Sequence, residues 1–205
     1  MSYDQMDNLQ RQILVSAEQV VTKIFKTEVD PKFVFHNLNH TKQVVNAAKT
    51  LVEYYRLDSS VQMSVLLAAW FHDTGHSAGK PEEHEKESDR LATMFLKNLK
   101  AEEPVLQKVS SCIMATRAPQ KPTNFEEKII CDADLYHLGT NRFIEMNKLL
   151  RQELQNYFHK EITDDQWRRR NLEFLSTHKY FTGYCRQKLE PLKKEWIRQL
   201  WGKNN

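Results

Sequence analysis

Residues 61–72 read VQMSVLLAAWFH, and their apolar surface runs nearly all the way round a helix. Such a helix has no face to give to water. Other elements must pack on every side of it, which points to a bundle with this segment at its centre. The run ends on the dipeptide His72-Asp73, with Gly75, His76 and Gly79 following. Polar, metal-competent side chains at the end of a buried helix are costly unless they pair with something or hold something.

The rest of the chain supplies the helices such a centre needs. Residues 8–26 place Leu9, Ile13, Val20 and Ile24 at three- and four-residue steps, and 40–56 do the same with Val44, Val45, Ala48, Leu51, Val52 and Tyr55. Asp58-Ser59-Ser60 offers capping residues ahead of the apolar run. Beyond Pro81 the spacing predicts helices at about 82–98, 105–116, 124–138, 141–158, 165–178 and 181–200. Pro104, Pro119, Pro122, Gly139 and Gly183 punctuate them. Strand-like alternation is absent. The expectation is all-α: a single compact domain over 1–205, with the N-terminal helix (7–26) and the C-terminal helices (141–200) packed on a central helical bundle. Trp167, Phe174, Leu175 and Tyr180 fall at spacings that suit packing, as a flank or lid.

Composition narrows the class. Hydrophobic residues make up 40% and charged residues 28% of 205, enough apolar material for a real core. No apolar run approaches the roughly 18 residues that span a bilayer, and the polar, acidic N-terminus does not read as a signal peptide. Three scattered cysteines (Cys112, Cys131 and Cys185), with no CxxC, argue against a disulfide framework and favour a reducing, cytoplasmic setting. Residues 166–205 carry ten Lys or Arg against three Asp or Glu. That stretch reads as a solvated helical face, so neither membrane nor nucleic acid is expected as a partner.

Four stretches supply groups that divalent metals bind. FHNLNH places His36 and His40 four apart, so both could face one way; His36 alone could equally pack at a loop end. His72-Asp73 is the second stretch. PEEHEKES carries His84. CDADLYHLG holds Asp132 and Asp134, either of which could cap a helix, and His137. His159 and His178 have no useful neighbours and read as structural.

Taken together, FHNLNHTKQVV, LLAAWFHDTGH, HEKES and IICDADLYHLG resemble, in order and type, the HD-domain superfamily of metal-dependent phosphohydrolases. The resemblance covers about residues 33–140. It implies a helical bundle of the HD type holding divalent cation (Mn, Mg, Fe, Co, Ni or Zn), with ligands falling on His40, His72, Asp73 and Asp134. Asp134 is chosen over Asp132, which is then left to cap the helix or orient a ligand. It further implies hydrolysis of a small phosphate ester, a nucleotide or cyclic nucleotide among the candidates, by a metal-activated water whose proton Asp73 takes. Lys80, Arg117, His76 and His84 are the candidates for clamping phosphate and leaving group. Binuclear branches use two further His between the HD pair and the last Asp. The sequence reading counts only His84 there, so one cation is expected. Two other readings stay open: a non-catalytic metal- or nucleotide-binding regulatory module, and an HD-type di-iron oxygenase. A homo-oligomer is also left open.

Overall fold

The computed structural model describes residues 6–78 and 82–202. Lys80, with Gly79 and Pro81, lies outside the described residues. Among those described there are ten α-helices and no strand, the all-α architecture expected. No described helix is long and apolar enough to cross a membrane.

The chain divides into two compact units, Met1–Asp134 and Leu135–Asn205. The first contains α1 (Asn8–Thr27), α2 (Leu38–Tyr54), α3 (Ser59–Phe71), α4 (His84–Asn98), α5 (Glu103–Ala115) and α6 (Phe125–Asp134). At its centre is α3. Every residue from Gln62 to Phe71 is buried, and α1, α2, α4, α5 and α6 all pack against it. Each large apolar side chain sealed this way contributes about 1.5–3 kcal/mol, so α3 is the main anchor of the unit. The amphipathic neighbours turn their apolar stripes inward: Leu14, Ala17, Val21 and Ile24 from α1, and Val44, Val45, Ala48, Leu51 and Val52 from α2. Asp7 opens α1 with a reciprocal capping box, accepting from the Gln10 amide at 2.7 Å.

The second unit holds α7 (Phe143–Phe158), α8 (Asp164–Thr177), α9 (Gly183–Lys188) and α10 (Glu190–Gly202), after a short 3₁₀ turn at Tyr136–Gly139. Its core gathers Leu138, Met146, Trp167, Leu175, Tyr180, Cys185 and Leu189, with Phe143 stacked on Trp196. Phe174 does not join them. It stands 43% exposed, against the packing role its spacing suggests. Lys193 is buried, and its ammonium is held by Glu190 at 3.1 Å and by the His178 carbonyl at 2.6 Å.

Two helix boundaries differ from the sequence expectation. The single helix expected over 181–200 breaks at Leu189, because Pro191 has no amide hydrogen and its ring opposes the carbonyl four residues back. The helix expected over 124–138 stops at Asp134 and continues as the 3₁₀ turn. Gly139 lies so close to Leu189 that a Cβ there would collide with its backbone.

Candidate metal centre

His40, His72, Asp73 and Asp134 meet within the first unit, each delivered by a local device. Asn37 caps α2: its side-chain oxygen accepts from the amides of Asn39 at 2.8 Å and His40 at 3.1 Å. That fixes His40 on the first turn of α2, buried and aimed inward. His72 and Asp73 follow the last residue of α3, and the His72 Nδ1 lies 2.9 Å from the Ala69 carbonyl. A carbonyl only accepts, so Nδ1 carries hydrogen and Nε2 is turned toward the site. The chain then tightens into a 3₁₀ turn at Thr74–Ala78, against which α4 packs. Gly75 is required there, since a Cβ would run into the His84 carbonyl. Asp134 is the last residue of α6.

These four side chains converge. His72 Nε2 lies 3.2 Å from Asp73 Oδ2, and His40 Nε2 lies 3.5 Å from the same oxygen. Asp134 Oδ1 is 3.3 Å from His40 Nε2 and 3.7 Å from His72 Nε2. Yet neither His72 Nε2 nor Asp73 Oδ2, both sealed from solvent, makes a well-aligned hydrogen bond. Two acceptors at that distance repel unless a proton or a cation lies between them. One proton can bridge a single pair. Two imidazole nitrogens and two carboxylate oxygens directed at one place suit a divalent ion better.

The other oxygen of Asp73 faces a second group. His84 Nε2 lies 3.4 Å from Asp73 Oδ1. One ligand atom from each of His36, Asp73 and His76 also falls within 4.8 Å of the others, as for His40, His72 and Asp73. His76 is stacked on His84 with ring centroids 4.2 Å apart, and lies 4.6 Å from His36 and 4.7 Å from Phe33. Neither nitrogen of the buried His76 ring has a hydrogen-bond partner. The sequence reading counts His84 alone in this interval and gives His76 to the substrate. Folding sets His76 beside His36, already a candidate in the sequence, as a second group of metal-competent side chains around Asp73.

Electrostatics follow the same geometry. Burial disfavours the His72 imidazolium, but Asp73, Asp134 and the Ala69 carbonyl outweigh it and raise its pKa to about 9. Burial by itself would raise Asp73, but His72, His84 and His36 hold its carboxyl well below the usual range. Asp134 is lowered too, with the contact from His40 and the charge of His72 overcoming burial. For His76, burial and then His36 push the pKa well below that of an ordinary imidazole. His76 is therefore neutral near pH 7 and is not a ready cationic clamp. The side chains of Asp134 and His84 each keep 17% of their surface open, while those of His40, His72 and Asp73 keep 4% or less. Access from solvent therefore lies over Asp134 and His84.

A family model, that of the HD domain, matches residues 37–139. The chain belongs to the HD-domain family. As a fold, this HD domain is similar to a crystal structure of a predicted HD superfamily hydrolase from an uncultured Thermotogales bacterium. Identity is 20%, the match covers 95% of this chain and 92% of that one, and the TM-score is 0.59. No curated protein matches.

The remaining residues weighed in the sequence lie elsewhere and at different depths. Arg117 is exposed on the loop between α5 and α6. Asp132 is fully buried within α6, two residues before Asp134. His159 closes α7 in the left-handed conformation, and His178 packs with Lys193, both in the second unit. Sequence reasoning missed two contributors. Gln120 donates to Asp134 Oδ2 at 3.1 Å, and only its place in an irregular loop fourteen residues away could have hinted at it. Ser88 lies behind the His72-Asp73 turn, in the HEKES stretch read for His84 alone.

Proposed function

We propose that this HD domain is a metal-dependent phosphohydrolase acting on a small phosphate ester, a nucleotide among the candidates. The observation that carries the reading is the facing pair His72 Nε2 and Asp73 Oδ2, sealed, 3.2 Å apart and without a hydrogen bond between them. A bound divalent cation would neutralise phosphate charge and lower the pKa of a water at the site. His40, His72, Asp73 and Asp134 would hold it.

The chain's own groups then divide the work. Asp73 directs Oδ2 to the ligand side and Oδ1 toward His84, so Oδ1 is placed to accept the proton of the attacking water. His84, at the open side, is placed to hold that proton at Nε2 or pass it to the leaving oxygen. Arg117 and Lys80 are the candidate cations for the non-bridging phosphate oxygens. Three buried cysteines, none in a disulfide among the described residues, accord with a cytoplasmic setting.

The test is phosphate release from a panel of nucleotides and simple phosphomonoesters, using full-length protein reloaded with manganese. Turnover that chelation and Asp73→Ala both abolish is expected. Full activity of the Asp73→Ala variant would overturn the reading.

A second reading is favoured by one observation, the placement of His36 and His76 around Asp73. Were both groups to ligate, the ligand requirement of a di-iron oxygenase would be met. Oxygen consumption by iron-loaded protein, with no phosphate release from manganese-loaded protein, would favour it.

A further inference from the structure

Gln120 stands on the loop between α5 and α6, and its Nε2 donates to Asp134 Oδ2 at 3.1 Å. The opposite orientation would set an amide carbonyl against a carboxylate, so the hydrogen-bond network fixes which end faces Asp134. The loop is anchored at both ends. On the α5 side the Thr116 hydroxyl donates to the Ile113 carbonyl at 2.7 Å, and the Cys131 thiol donates to the Ala115 carbonyl at 3.1 Å. On the α6 side the buried Glu127 carboxylate accepts from the Thr123 amide at 2.6 Å, the Thr123 hydroxyl at 2.9 Å and Asn124 Nδ2 at 2.8 Å. Gln120 is therefore presented on a fixed frame.

Asp134 splits its oxygens as a result. Oδ2 is occupied by Gln120, and Oδ1 faces His40 at 3.3 Å and His72 at 3.7 Å. A free carboxylate on a cation can swing between one-oxygen and two-oxygen ligation. A donor fixed on one oxygen removes that choice, and such outer contacts set both the direction and the strength of the ligand. The Gln120 Oε1 is itself sealed and has no hydrogen-bond partner.

We propose that Gln120 is a positioning residue of the metal centre: by holding Asp134 Oδ2 it leaves Oδ1 as the single ligating atom, in a fixed direction. The proposal rests on the cation site of the preceding section.

The test uses Co²⁺ as probe on the full chain after chelation, with affinity from calorimetry and coordination from visible absorption. Gln120→Met keeps the bulk and removes the donor, and Gln120→Ala serves as a second variant should the first fail to fold. Expected is a loss of about 10–100-fold in Co²⁺ affinity, with a changed absorption envelope, in a cation-free protein that keeps its helical content and a cooperative melting transition. In an Asp134→Ala background, the same Gln120 substitution should weaken binding no further. Wild-type affinity and spectrum in the Gln120 variants would overturn the proposal, as would an equal loss in the Asp134→Ala background. Failure of the wild-type chain to bind Co²⁺ at all would instead overturn the cation site itself.

Discussion

Ser88 donates its hydroxyl to the carbonyl of His72 at 2.6 Å. The Ser88 Oγ in turn accepts from the Gly75 amide at 2.8 Å, so one fully buried side chain closes both sides of the turn that presents Asp73. Ser88→Ala leaves a buried carbonyl and a buried amide unsatisfied, at about 1–3 kcal/mol in stability. The melting temperature should fall, and cation affinity with it, because the turn carries two of the four ligands. Unchanged melting and unchanged affinity would contradict this account of the turn.

Proton and cation compete for the same place at His72. Its pKa stands at about 9, against 6.5 for an ordinary imidazole. A group raised on folding stabilises the protein fully below its unfolded value and ceases to do so as pH rises through its folded value. In cation-free protein the His72 contribution is therefore present below pH 6.5 and lost by about pH 9. Asp73 works from the opposite end. Its lowered pKa contributes above the ordinary carboxyl range, and the contribution is lost as acid titrates the folded carboxylate. A cation must displace the His72 proton, so apparent affinity should rise up to about tenfold per pH unit until about pH 9. Calorimetry in buffers of different ionisation enthalpy should register about one proton released per cation. A pH-independent affinity with no proton release would contradict the assignment.

Removal of the cation should loosen the unit around α3. A ligand that binds only the folded state stabilises it by about 2.7 kcal/mol when present at a hundred times its Kd. Chelation should lower the melting temperature, and manganese should restore it in the wild type but not in Asp73→Ala. Equal melting with and without chelator would count against a cation site in the folded chain.

His76 separates the two groups that share Asp73. It belongs to the His36 side and takes no part in the His40–His72–Asp73 group. His76→Ala should reduce bound manganese from two ions per chain to one, as read by elemental analysis after loading. One ion in both proteins would restrict the centre to the ligand set read from the sequence.

The bundle was legible because the sequence states it locally, and the four side chains that converge, His40, His72, Asp73 and Asp134, were legible through the resemblance to the HD family. The unbroken apolar surface of 61–72 can belong only to a central helix, and the ordered FHNLNH, HD and DAD stretches carry ligand chemistry beside apolar helical turns. The second group was not legible. His36, His76 and His84 lie on three separate segments, and only the turn built on Gly75 and Ser88 sets the last two against each other. Gln120 was hidden for a similar reason. No periodicity governs a loop, and its contact with Asp134 spans fourteen residues. The break at Leu189 could have been read from Pro191, whereas the exposure of Phe174 depends on neighbours that spacing does not name.

The central claim is that His40, His72, Asp73 and Asp134 hold a divalent cation. Anomalous diffraction from crystals of manganese-loaded protein tests it most directly. The account predicts a strong peak at about 2.0–2.2 Å from His72 Nε2 and Asp73 Oδ2, with His40 and Asp134 completing the contacts. Loaded crystals that show no peak there, and a direct hydrogen bond between His72 and Asp73 in its place, would contradict it.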